Sequence, residues 1–159
     1  MHELHSHISV EQALPPALRQ TGADIDGATI DLQGKSAVEF IVSVGAEGDA
    51  FSSSVGFNVI LETADDDGTG APDTWAPETN AQLYLGAASD DGNDVQTSGI
   101  ALSIRENGGA QDYRFGYKGG KRFARLNLVA VGTQGTGTIV SATAVTVPLL
   151  KPADAQNGE

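Results

Sequence analysis

The chain has 159 residues, and its 9 basic and 21 acidic side chains give a formal net charge of −12 and a pI near 4.4. This acidity disfavours nucleic acid as a direct partner, because neutralisation of phosphates drives such binding. Cysteine is absent, which excludes disulfides, thiolate nucleophiles and cysteine-based metal sites. The apolar runs are far shorter than the ~20 residues of a membrane span, and the first residues lack a secretory-signal pattern, so no membrane contact is expected.

The chain is expected to form one domain, at residues 21–150, between an extended N-terminal arm at 1–20 and a flexible C-terminal tail at 151–159. The arm carries the apolar residues Leu4, Ile8 and Val10, and Pro15-Pro16 marks its expected end. These side chains, with His5 between them, are candidates for contact with a neighbouring protein by strand addition.

All three histidines lie in the first seven residues, at His2, His5 and His7. Together with Glu3 they could bind a transition metal, but a chain terminus makes a poor closed site, and polar arm residues without a ligand are the simpler interpretation. Their position also excludes a Ser-His-Asp triad. No catalytic residue, cofactor or metal site is predicted, and the chain is not expected to be an enzyme.

From residue 25 onward, short segments carry apolar side chains at alternate positions, as half-buried β-strands do. Residues 37–44 and 54–62 show this most strongly and are expected to pair across residues 45–53. Further strands are predicted at 82–86, 100–104, 113–118, 122–131 and 138–147. This pattern, with almost no helical periodicity, predicts an all-β protein, an antiparallel β-sandwich or jelly-roll-like domain.

Two acidic segments, residues 63–80 and 88–98, are predicted to be loops. Asp65, Asp67 and Gly68 resemble part of a calcium loop, which needs oxygen ligands at alternate positions. The spacing is wrong, because Ala76 stands where that loop requires glutamate. Residues 90–94 form a second oxygen-rich segment without a specific pattern, and solvated acidic turns are the simpler interpretation of both.

Positive charge is concentrated in one stretch of the chain. Residues 1–104 hold two basic side chains against seventeen acidic ones, whereas residues 105–125 hold six against two. The segment 113–126 is expected to be a hairpin, with positive φ angles at Gly119 and Gly120. The candidate contact residues for an acidic partner are Lys118, Lys121, Arg122 and Arg125. The alternative is that these cations pair with the surplus carboxylates of the same chain.

Four segments together resemble a family of small structural proteins of tailed bacteriophages and prophages, across nearly the whole chain. They are residues 4–8 (Leu-His-Ser-His-Ile), 30–34 (Ile-Asp-Leu-Gln-Gly), 36–40 (Ser-Ala-Val-Glu-Phe) and 116–126 (Gly-Tyr-Lys-Gly-Gly-Lys-Arg-Phe-Ala-Arg-Leu). Phe123 stands where tyrosine is usual in that family, and the two acidic loops are longer here.

The resemblance implies a capsid decoration, or cement, protein on the outer surface of the virion head, assembled in the host cytoplasm. Its implied partners are the major capsid protein and further copies of itself, as a homotrimer. A tail-tube or head-tail completion subunit is the alternative, with residues 63–80 facing inward or between subunits. A third possibility is a carbohydrate-binding module on the virion surface, with Trp75 or Tyr84 as its stacking platform.

Overall fold

The computed structural model describes residues 7–79, 83–85, 99–106 and 108–149, with the backbone alone for 83–85. Within these ranges the chain forms eleven β-strands. They are β1 Ser9–Arg19, β2 Ile25–Asp26, β3 Ile30–Asp31, β4 Lys35–Val44, β5 Gly56–Ala64, β6 Ala76–Pro77, β7 Leu83–Leu85, β8 Ile100–Ile104, β9 Gln111–Tyr117, β10 Phe123–Val131 and β11 Thr138–Pro148. None of the described residues forms a helix of the length and hydropathy needed to cross a bilayer.

The strands form two antiparallel sheets. The five-stranded sheet has the order β1-β11-β4-β9-β7, and the six-stranded sheet has β2-β10-β5-β6, with β3 beside β10 and β8 beside β5. Alternate residues of both sheets point into one apolar core, as Phe40 and Val42 of β4 and Val59 and Leu61 of β5 do. Burial of each such side chain contributes roughly 1.5–3 kcal/mol. The expected class, an all-β antiparallel sandwich, is confirmed.

The expected pairing of neighbouring strands along the chain is wrong in two places. β4 lies in the five-stranded sheet between β11 and β9, whereas β5 lies in the six-stranded sheet beside β10. In the same way β9 and β10 belong to different sheets, so residues 118–122 are a crossover and not a hairpin turn. Each of these strands has one apolar face. When β4 and β5, or β9 and β10, lie in opposite sheets, their apolar faces are buried against each other in the core of the sandwich.

The glycines of this crossover also differ from expectation. The positive φ angles expected at Gly119 and Gly120 are absent. Gly119 is required for another reason, because a Cβ atom there would overlap the phenol of Tyr117. Gly120 faces open space. The glycine pair thus allows a close approach over a buried tyrosine and does not form a left-handed turn.

The N-terminal segment, expected to be an arm as far as residue 20, is part of the five-stranded sheet from Ser9 onward. β1 pairs with β11 along its length, with two irregularities in register, and its Ala13 and Leu14 are fully buried. Pro15 and Pro16 lie exposed within this edge strand instead of ending it. Proline is tolerated there because the outer side of an edge strand has no neighbour to which an N–H would donate. Leu4, His5 and the tail at 151–159 lie outside the described residues.

Candidate functional site

The crossover between β9 and β10, residues 118–122, connects the two sheets and directly follows Tyr117, the last residue of β9. Tyr117 is fully buried, and its hydroxyl accepts a hydrogen bond from the backbone N–H of Lys121 at 3.4 Å. Burial raises the pKa of the Tyr117 hydroxyl, while the Lys121 N–H acts in the opposite direction. Tyr117 therefore supports the loop from beneath as a neutral phenol.

Arg122 connects three separate parts of the chain. Its Nε donates to Asp31 Oδ1 at 3.1 Å and its Nη2 to Asp31 Oδ2 at 2.9 Å, a two-point contact with β3. Its Nη1 forms an ion pair with Asp66 in the acidic loop. The hydrogen bonds from Arg122 hold the pKa of the Asp31 carboxyl below its usual value, and the two carboxylates raise the pKa of Arg122.

Arg125 and Lys121 are also paired within the chain. Arg125 donates a hydrogen bond to Glu62 at 2.7 Å and forms an ion pair with Asp26 at 2.9 Å. Its guanidinium lies 4.6 Å from the ring centroid of Trp75. Lys121 forms an ion pair with Asp65. Of the cations proposed as a contact surface, Lys121, Arg122 and Arg125 therefore have carboxylate partners in the same molecule. For these three the geometry favours the alternative interpretation, a set of intramolecular ion pairs.

The acidic loop at residues 65–72 is organised by its own carboxylates. Asp66 Oδ1 accepts from the N–H groups of Gly68 and Gly70, and Asp67 Oδ1 accepts from Thr69 and Ala71. The hydrogen bonds from the backbone N–H groups of Gly70 and Gly68 are the main cause of the lowered pKa of Asp66. No cluster of three metal-ligating side chains occurs in the part of the chain that the structure describes. Residues 90–94, His2 and His5 lie outside that part.

Three surface grooves adjoin the crossover, and Tyr117 lines all of them. The first, of about 260 Å³, lies between residues 32–37 and residues 117–122. The second, of about 360 Å³, extends over the five-stranded sheet to Val145 and Val147. The third, of about 310 Å³, lies beside Asp65 and Glu78. Lys118 is exposed and lines the first two grooves.

Three of the four segments singled out in the sequence, all but residues 4–8, lie together at this crossover. β3 pairs with the start of β10, at Ile30 with Ala124 and Asp31 with Phe123. β4 pairs with the end of β9, at Val38 with Tyr117. Residues 30–34, 36–40 and 116–126 are thus neighbours in space, and each contributes to the lining of the 260 Å³ groove. The sequence alone did not predict that these three segments form one surface.

The arm residues proposed for contact are only partly within the described chain. Ile8 is half-buried just before β1, and Val10 is 60% exposed on β1. Leu4 and His5 lie outside the residues that the structure describes. The structure does not bring Ile8 and Val10 together with Lys118 as one site, because β1 and β9 are separated by β11 and β4 in the sheet.

The fold and this surface define a two-sheet, all-β protein whose most elaborate feature is an ion-paired crossover between its layers. Comparisons with protein-family models, with curated proteins and with solved structures found no match.

Proposed function

We propose that the chain is a structural protein of a tailed-bacteriophage particle, which binds the outer surface of the head shell and stabilises it. The observation that carries the proposal is the convergence of three of the four segments that resemble phage structural proteins on one groove beside the crossover. Residues of a shared contact surface are expected to come together in this way, although they are distant in sequence. The proposed partner is the major capsid protein, and the proposed role is adhesion without turnover of a substrate.

The crossover is suited to contact because it is held in one conformation before binding. Arg122 ties it to β3 and to the acidic loop, Lys121 ties it to Asp65, and Tyr117 packs beneath Gly119. A preformed loop loses little conformational entropy when it binds, so more of the contact energy appears as affinity. Lys118, exposed at the groove, is the cation in best position to meet an acidic surface of the shell.

Stabilisation of the shell would then follow from mass action. A protein that binds only the mature shell stabilises that state by RT ln(1 + [L]/Kd) at each site. Repeated over many equivalent sites, a modest affinity gives a large total effect. The high negative charge of the chain keeps it soluble before it assembles.

The proposal is tested by co-sedimentation of the purified chain with isolated head shells of the phage that encodes it. The variant Lys118→Gln should bind several-fold more weakly at low salt, and the difference should shrink as salt is added. Arg114→Gln is the matched control, because it also removes one charge from an exposed cation on the same sheet. Failure of the wild-type chain to sediment with shells would refute the proposal, and equal binding by both variants would refute the role of Lys118.

Neither alternative role gains a specific observation in its favour. The acidic loop, which a tail-tube or head-completion subunit would direct toward a lumen, is tied to the body through Asp65 and Asp66. One face of Trp75, the proposed sugar platform, is covered by Arg125. Of Tyr84, the other proposed platform, the structure describes only the backbone.

A further inference from the structure

The exposed apolar side chains of this protein are segregated to one sheet. Six large hydrophobic side chains are exposed among the described residues. Five lie on β1, β4 and β11 of the five-stranded sheet, and the sixth directly follows β11: Val10, Leu18, Ile41, Ile139, Val147 and Leu149. The register places Val10 beside Val145, and Leu18 beside Ile139, on the outer face. Scattered exposed aliphatics are ordinary, whereas a contiguous set indicates a contact surface.

The outer face of the other sheet has a different chemistry. Arg125 pairs there with Glu62 and Asp26, and Arg105 donates to Asn58 at 2.8 Å. Each of these arginines thus has a partner on a neighbouring strand, and Ile60 and Val129 on the same face are partly buried. The outer face of the six-stranded sheet is therefore polar and suited to contact with solvent, whereas the outer face of the five-stranded sheet exposes aliphatic side chains.

Charge separates the two faces further. Across β1, β11, β4 and β9, the outer face of the five-stranded sheet carries Arg114 against Glu39 and Asp112. Its remaining positions are mostly valine, isoleucine, threonine and serine. This is close to neutral in a chain of net charge −12. Two copies of such an acidic protein repel each other wherever carboxylates predominate, and they can approach closely only through a surface that lacks the surplus.

We propose that the outer face of the five-stranded sheet binds the same face of a second copy of this chain. A basic or acidic partner would match a charged surface, whereas a neutral aliphatic face is complementary to another of its kind. Contact through the sheet edge is disfavoured, because Pro15 and Pro16 interrupt the N–H groups along the free side of β1. The 360 Å³ groove at Val145 and Val147 offers a recess for aliphatic side chains of the second copy.

One face packed on itself gives a two-fold pair, with the sheets about 10 Å apart. This differs from the trimer that the sequence resemblance implies, and the mass in solution distinguishes the two. The inference is independent of the proposed function, because it concerns the isolated chain. Shell binding could fail while the pair persists, and the reverse is equally possible.

Analytical ultracentrifugation of the full chain at about 100 μM tests the inference. We expect a dimer mass for the wild type, and a dissociation constant roughly 100-fold or more weaker for Ile41→Glu and for Val145→Glu. Val129→Glu, on the outer face of the other sheet, is the matched control and should remain dimeric. A monomeric or trimeric wild type, or equal dissociation by the control, would overturn the inference.

A second measurement avoids dependence on the glutamate variants. The chain contains no cysteine, so a single introduced cysteine reports one position. Thr143→Cys lies near the centre of the proposed face, between Gln12 and Ile41. A bis-maleimide that spans about 10 Å should link two copies of it. Val129→Cys should remain unlinked at the same concentration, and absence of linkage at position 143 would contradict the face-to-face arrangement.

Discussion

Arg122 and Asp31, 91 residues apart in the chain, meet through two parallel hydrogen bonds of 3.1 and 2.9 Å. The pair fastens the start of β10 to β3, at the point where the chain passes from one sheet to the other. Arg122 also holds Asp66, so one guanidinium sets the positions of β3, the crossover and the acidic loop together. The surface proposed to bind the head shell depends on this arrangement.

The Arg122–Asp31 pair should make stability depend on pH in a specific direction. The folded protein holds the pKa of Asp31 below its ordinary value of 3.8, so its ionised form stabilises the fold above that pH. This contribution is lost as the pH falls from about 4 through the lowered folded value. Asp31→Asn should therefore be less stable than the wild type at neutral pH, and the gap should narrow in acid. Thermal unfolding followed by circular dichroism measures it, and a gap independent of pH would contradict the assignment.

Replacement of Arg125 by alanine should destabilise the protein by roughly 1–3 kcal/mol, because it leaves the partly buried carboxylate of Glu62 without its guanidinium partner. It should also change the emission of Trp75, the sole tryptophan, since Arg125 lies over its ring. Urea unfolding monitored by tryptophan fluorescence gives both results in one experiment. In dilute monomeric protein Arg114→Ala, which removes a largely exposed arginine, should stay within about 0.5 kcal/mol of the wild type.

The two crossover glycines should differ sharply in their tolerance of alanine. Gly119→Ala places a methyl group against the buried Tyr117 phenol and should cost roughly 1–3 kcal/mol. Gly120→Ala meets no atom within 4 Å and should be close to neutral. Neither position has a positive φ, so backbone strain does not enter the comparison. Chemical denaturation of the two variants provides the test, and equal stability would mean that Gly119 is not held against Tyr117.

The N-terminal strand should contribute to the stability of the domain. Leu14 is fully buried in the core, so Leu14→Ala should cost about 2–5 kcal/mol. Leu18 lies on the same strand but is 58% exposed, and Leu18→Ala in dilute monomeric protein should cost much less. Deletion of residues 2–14 would remove Leu14 and half of β1, and it should unfold the protein instead of releasing an intact domain. A folded deletion variant of undiminished stability would contradict this role.

Alternation of apolar residues was sufficient to predict the fold class and the longer strands from residue 37 onward. In residues 37–44 the alternate apolar positions are Val38, Phe40, Val42 and Val44, and all four are buried. The same pattern could not predict which strands pair, because a period of two specifies the buried face and not the neighbour. Residues 45–53, which separate the two predicted strands, are long enough to connect strands of the same sheet or of different sheets. The structure places β4 and β5 in opposite layers.

The candidate site was predictable only in part. Charge partition drew attention to Lys121, Arg122 and Arg125, but not to their partners, since Asp31 and Glu62 lie 91 and 63 residues away. With twenty-one carboxylates in the chain, no local pattern selects the right ones. The occurrence of Asp31 and Arg122 in two of the resemblance segments was the one available signal. The edge strand at Pro15-Pro16 was missed because paired prolines usually end regular structure.

Cryo-electron microscopy of intact particles of the proposed phage can locate this chain on the virion. We expect density for the two-sheet sandwich on the outside of DNA-filled heads, with the groove beside residues 117–122 facing the shell. Density for the chain on tails alone, or its absence from purified particles, would contradict it.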